Sequence, residues 1–196
     1  MKFESSDYPA LVQQLKTGDE TFRRHDKPVP VTLLDFWRWS GSDLVNNALR
    51  GKIAEFIVAQ ALGLSATPRI EWEAYDLLSS SGTRIEVKSA AYLQSWSHKK
   101  LSTIRFSIPP TMSWDASINR YATNVERQSD VYIFCLLSHL DKLTIDPLNI
   151  DQWEFYRLAT NQLNQACPTQ KSISLQRLIR IGAEKLSYEL LKSVGV

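Results

Sequence analysis

Residues 76–90, DLLSSSGTRIEVKSA, read as two strands joined by a tight turn. The run at 79–82, three serines and a glycine, has turn chemistry, with strands expected at 74–78 and 83–90. A period of two puts Ile85 and Val87 on one face of the second strand and Glu86 and Lys88 on the other. A turn centred on Ser81 sets Asp76 directly across from Glu86. Like charges in that relation repel, and a cation between them reverses the sign. Two hard oxygen ligands with open water positions suit Mg²⁺ or Mn²⁺. Lys88 points to the same place, where an amine polarises a water or steadies an anionic transition state. The competing reading is an ordinary hairpin with a solvated face, and a one-residue change of register separates the two acids.

Upstream, 43–62 is the clearest helix, DLVNNALRGKIAEFIVAQAL, with Gly63 as its stop. On a helical wheel Glu55 shares a stripe with Leu44, Ala48, Gly51, Val58, Ala59 and Leu62. A carboxylate on an apolar face needs a partner or a metal. It either pairs with an arginine or caps a neighbouring group, or it belongs to a metal site.

Working outward, a short strand is expected at 69–72, and a further one at 101–108, where LSTIRFSI alternates before Pro109-Pro110. The continuous apolar run VYIFCLL at 131–137 suits a central buried strand. WEFYRLA at 153–159 is another strand. Helices are expected at 115–128, at 161–167, and at 174–193 with a break at Gly182. Residues 1–30 read as an extension laid on the core, with a helical pattern at 8–16, and LLDFWRW at 33–39 as a helical turn. The alternation of helices and strands predicts an α/β domain with a mixed sheet.

Composition bounds the alternatives. The chain has 196 residues and is 43% hydrophobic and 22% charged, which suits one domain, 1–196, with its own core. It has 23 Lys+Arg against 21 Asp+Glu, so any basic surface is local. No apolar run approaches the ~20 residues of a membrane span, and MKFESSDYPALVQQLK lacks the apolar segment of a signal peptide. A cytosolic location is expected. Cys135 and Cys167, with three histidines and no CxxC or HExxH spacing, form no zinc motif. Nucleotide-binding loops of the GxGxxG and GxxxxGK[ST] kinds are absent.

Glu55, then Asp76, then Glu86-Val87-Lys88 strongly resembles the PD-(D/E)xK phosphodiesterase superfamily, the restriction-endonuclease-like nucleases. The resemblance covers 43–138, and RGKIAEFIVAQALG at 50–63 is similar to the first helix of that core. Tyr75 stands where the motif's proline often is. The resemblance implies a three-layer α/β/α fold around a central mixed sheet with a restriction-endonuclease-like core. It implies metal-dependent hydrolysis of phosphodiester bonds, in DNA. Asp76 and Glu86 would bind Mg²⁺ or Mn²⁺ with the Val87 carbonyl, and Glu55 would complete the shell directly or through water. Lys88 would act on the attacking water or the transition state, and Gln94 would orient the water or a phosphate. Such nucleases often dimerise, so a homodimer is expected.

From Arg84 to Arg105 the chain has Arg84, Lys88, Lys99, Lys100 and Arg105 against only Glu86, and Tyr92 and Trp96 interleave with them. Cations beside aromatics suit phosphate contact and base stacking. Arg84, Trp96, Lys99, Lys100 and Arg105 are therefore the candidate nucleic-acid contacts; the alternative is that Trp96 is core and the lysines are solvated. Two other functions compete with the nuclease. One is a non-catalytic nucleic-acid-binding protein that keeps the fold. The other is a structural α/β protein whose acids pair with Arg50 or Arg84.

Overall fold

Seven consecutive buried residues, Val131–Leu137, form the strand around which the chain is arranged. The computed structural model describes residues 11–71, 74–115 and 120–194. In chain order, strands β1 (Thr21–Arg24) and β2 (Lys27–Thr32) form an antiparallel hairpin that leads into α1 (Leu33–Gly41). Helix α2 (Asn47–Ala61) follows, then β3 (Leu77–Leu78), β4 (Arg84–Ala91) and β5 (Arg105–Ser107). Next come β6 (Thr111–Asp115), β7 (Arg120–Glu126), β8 (Val131–Leu137) and β9 (Trp153–Ala159). The C-terminal part holds α3 (Thr160–Ala166), β10 (Ser172–Ser174), α4 (Leu175–Arg180), β11 (Glu184–Leu186) and α5 (Tyr188–Leu191).

The main sheet has five strands in the order β11-β9-β8-β4-β3. Strands β4 and β8 are parallel, with Ile85 opposite Val131, Glu86 opposite Tyr132 and Lys88 opposite Phe134. The remaining pairs are antiparallel, so the sheet is mixed. Both of its faces are buried, which explains the unbroken apolar run of β8. On one face Ala54, Ile57 and Val58 of α2 pack on Ile85, Val87, Ile133 and Cys135, with Leu191 of α5. On the other, Phe106, Leu163, Ile173 and Leu178 pack on Tyr132, Phe134 and Leu136. Burying such a side chain fully contributes about 1.5–3 kcal/mol.

Helix α2 starts four residues later than its apolar pattern suggests. Asn46 takes the cap, its Oδ1 accepting from the Ala48 and Leu49 amides at 3.0 Å each. Gly63, at φ +70°, turns the chain out of the helix as expected.

Several expected elements differ. Among 69–71 no strand forms, and Trp72 lies outside the described residues. The strand expected at 74–78 shrinks to two residues. The strand at 101–108 shrinks to β5, which pairs with β10 instead of joining the main sheet. The helix expected at 115–128 is instead the hairpin β6–β7, with 116–119 outside the described residues. Tyr121, Thr123 and Val125 alternate there, and such residues favour a pleated strand over a helix. No helix therefore lies between β4 and β8 among the described residues. The long C-terminal helix is broken at Gly182, at φ +95°, into α4, the edge strand β11 and α5. Residues 11–16 form no helix, and the rest of that expected pattern lies outside the described residues. The β1–β2 hairpin has no fully buried residue, and β2 carries two partly buried ones.

One buried cation joins the second face. Arg127 donates to the carbonyls of Ile108 (2.9 Å), Cys167 (2.8 Å) and Gln170 (3.2 Å) and to Asn164 Oδ1 (2.6 Å). Among the described residues, no helix is long and apolar enough to cross a membrane.

Candidate active site

The hairpin of β3 and β4 fixes the site. The register pairs Leu77 with Ile85 and Leu78 with Arg84, centring the turn on Ser81 as its sequence suggests. Gly82 takes φ +86°, and Ser79 bonds across the loop to Thr83. The ladder stops there. The Asp76 amide donates to the Ile85 carbonyl at 3.1 Å instead of continuing to Glu86. Its carboxylate then accepts from the Val87 amide at 2.7 Å. Asp76 thus closes the open edge of β4 with its side chain, and the expected direct pairing of Asp76 with Glu86 gives way to this cap. Since N–H and C=O of one residue point to the same edge in an antiparallel ladder, the Val87 carbonyl faces that edge too.

Helix α2 brings Glu55 to the same place. Glu55 and Asp76 both line a cleft of about 550 Å³ that also includes Arg69, Lys52 and Tyr75. The rest of the wall is largely apolar. The Glu55 side chain is only 14% exposed, and its partner is Arg69, whose Nε and Nη2 both donate to it. The pairing with an arginine that its apolar setting demanded is therefore present, but the arginine is neither Arg50 nor Arg84. Arg50 is spent on the Val45 carbonyl and Asn47.

Glu86 and Lys88 leave β4 on the side away from α2, because Ile85, Val87 and Ala91 belong to the α2 face. They form an ion pair with each other. Neither lines the cleft that holds Glu55, so the four residues do not share one pocket. Their common point is Asp76. Burial pushes its carboxyl up to about 7, and the charges of Glu86 and then Glu55 add to the rise, while Lys88 and the Val87 amide oppose it. Tyr132, opposite Glu86 on β8, is likewise raised to about 12, by burial first and then by the Glu86 charge.

Asp76, Glu86 and the Val87 carbonyl are hard oxygen donors, and an acid whose carboxyl is raised by burial and then by its acidic neighbours is relieved by a cation. That chemistry fits Mg²⁺ or Mn²⁺. Glu55 is not gathered into the set. Among the described residues, no group of three or more His, Cys, Asp or Glu side chains is arranged to hold a metal ion.

The other candidates divide. The Gln94 amide nitrogen donates to Ser102 Oγ (3.0 Å) and the Ala91 carbonyl (3.3 Å), so this side chain braces the loop after β4, and its Oε1 is buried without a partner. Arg84 is bound to Asp130, donating through Nε (3.1 Å), Nη2 (2.6 Å) and its amide (2.9 Å). Its charge ties the start of β4 to that of β8 and is not left for a phosphate. Trp96 is 54% exposed, which settles it as a surface ring and not core. Lys99, Lys100 and Arg105 are exposed, Arg105 touching Ser172 Oγ at 3.3 Å. Arg69, which no motif flagged, is the residue sequence reading missed. Its only signal was the need of Glu55 for a cation.

The family model of bacteriophage T4 endonuclease IV matches residues 19–177, a span that includes every residue of this site. No curated protein matches the chain.

Proposed function

The chain belongs to the bacteriophage T4 endonuclease IV family, and from that membership we propose a divalent-metal-dependent nuclease that cuts DNA at the edge of β4. The membership makes it a nuclease acting on nucleic acid. The metal, the PD-(D/E)xK chemistry and the three-layer restriction-endonuclease-like core are the finer reading. The observation that supports it is the cap of Asp76 on the Val87 amide, which sets a half-buried acid beside a second acid and its E-x-K lysine.

Asp76 and Glu86 would hold the cation with the Val87 carbonyl, and Glu55 would act through water. When bound, the cation lowers the pKa of a water and offsets charge on the phosphate. Lys88 acts on the attacking water or on the phosphate oxygen where negative charge grows. The water oxygen bonds to phosphorus, the bond from phosphorus to the leaving sugar oxygen breaks, and that oxygen takes up a proton. Lys99, Lys100 and Arg105, with Trp96, contact the strand outside the site.

The ion pairs of Glu55 with Arg69 and of Glu86 with Lys88 favour one other reading, a non-catalytic nucleic-acid-binding protein whose acids are structural. Cleavage assays with Mg²⁺ or Mn²⁺ on duplex, branched and single-stranded DNA separate the two. The nuclease reading expects cleavage by wild type and none by an identically prepared Glu86→Ala protein. Equal cleavage by both, or binding without cleavage of any substrate, overturns it.

A further inference from the structure

The cleft has a charge problem. Glu55 and Asp76 line it, and both repel a phosphodiester. The cations on its wall are Lys52 and Arg69, and both are already engaged with carboxylates. Lys52 Nζ sits 3.0 Å from Glu71, and Arg69 Nη1 sits 3.4 Å from the same oxygen. The principal bond of Arg69 is the fork to Glu55, with Nη2 at 3.2 Å from Oε1. The arginine side chain is 37% exposed at the rim, while the glutamate is nearly covered. A guanidinium fork fits a phosphate as well as a carboxylate. A partly exposed ion pair is weak enough to be exchanged for another anion.

We propose that Arg69 is an exchangeable positioning residue: it holds Glu55 in the free protein and moves to a backbone phosphate when nucleic acid enters the cleft, releasing Glu55. This rests on the reading that the strand is cut at the edge of β4, which the cleft adjoins through Asp76. The exchange gives the phosphate its guanidinium and leaves Glu55 in need of another cation, which a divalent metal beside Asp76 would supply. It also couples two binding events. A freed Glu55 adds a carboxylate near Asp76, so nucleic acid and divalent cation each tighten the binding of the other, by the same factor.

A double-mutant cycle on metal-free binding tests this. Anisotropy of labelled single-stranded and duplex oligonucleotides in chelator is measured for wild type, Glu55→Gln, Arg69→Ala and the double variant. Glu55→Gln should tighten binding by about 5-fold in the presence of Arg69, since the fork is then free. In the Arg69→Ala background the same change should do less than about 2-fold. Equal tightening in both backgrounds means that Glu55 merely repels phosphate, and it overturns the exchange. No tightening in either background, or no binding by any form, also overturns it. Arg69→Gln replaces Arg69→Ala in the cycle if the latter does not fold. The underlying reading fails separately: it falls if Glu86→Ala cleaves like wild type. If Glu86→Ala abolishes cleavage and the cycle still shows no coupling, the exchange alone is wrong.

Discussion

The carboxylate of Asp76 accepts a hydrogen bond from the backbone amide of Val87 at 2.7 Å. A side chain there does the work of the strand that β3 is too short to provide. That one bond satisfies a backbone donor at the sheet edge, ends the ladder, and fixes a carboxylate beside the Glu86–Lys88 pair.

Asp76 stores a pH-dependent cost. Its carboxyl titrates near 7 in the fold, against 3.8 for an ordinary aspartate. Between those values the folded protein binds more protons than the unfolded chain. The contribution of Asp76 to the stability of the metal-free protein therefore falls as pH rises from about 4 to about 7 and is level above that. Asp76→Asn removes the charge and should raise stability by on the order of 2 kcal/mol at alkaline pH, with little change in acid. Thermal melts at about pH 4 and about pH 8 in chelator check it. An equal difference at both would show that charge is not the cause.

Lys88 and Glu86 should separate in their effects on metal. On the proposed reading Glu86→Ala removes a ligand, so a Mg²⁺- or Mn²⁺-dependent rise in melting temperature should shrink or vanish along with cleavage. Lys88→Ala should keep that rise and still lose cleavage. Ca²⁺ should support binding with little cleavage, since it coordinates at longer and looser distances. A Lys88→Ala protein that cleaves at the wild-type rate would remove the lysine from the chemistry.

Arg84 should be a stability residue. Its fork and amide join Asp130 across the entry of β4 and β8. Arg84→Ala should cost about 1 kcal/mol in denaturant unfolding and leave oligonucleotide affinity unchanged. Replacing Lys99 and Lys100 should do the reverse, flattening the salt dependence by about 0.9 log units per lost phosphate contact on duplex DNA. A loss of affinity in Arg84→Ala at unchanged stability would return that residue to the binding surface.

Arg127 should be the most sensitive charged position. It is 7% exposed and donates to four acceptors drawn from both ends of the second core face. Arg127→Ala leaves buried carbonyls unpaired, and a loss of roughly 3 kcal/mol or more is expected. Urea unfolding measures it; a loss under about 1 kcal/mol would mean that water replaces the guanidinium.

Much of the frame was legible along the chain, because it is local. The apolar run of β8, the body of α2 with its stop at Gly63, and the turn about Ser81 follow from side-chain period and turn chemistry, which neighbouring residues carry. Glu55, Asp76, Glu86 and Lys88 stood out for the same reason, as charges in periodic settings that could not leave them unpartnered. What only the tertiary structure decided is where each charge finds its partner. Glu55 meets Arg69, fourteen positions away, and Arg84 meets Asp130 across forty-six. The placement of Glu86 and Lys88 on the sheet face away from α2 depends on which side that helix packs. The β6–β7 hairpin in place of a helix was a matter of two segments finding each other. Strand pairing and ion pairing are contacts between distant parts of the chain, and no local period encodes them.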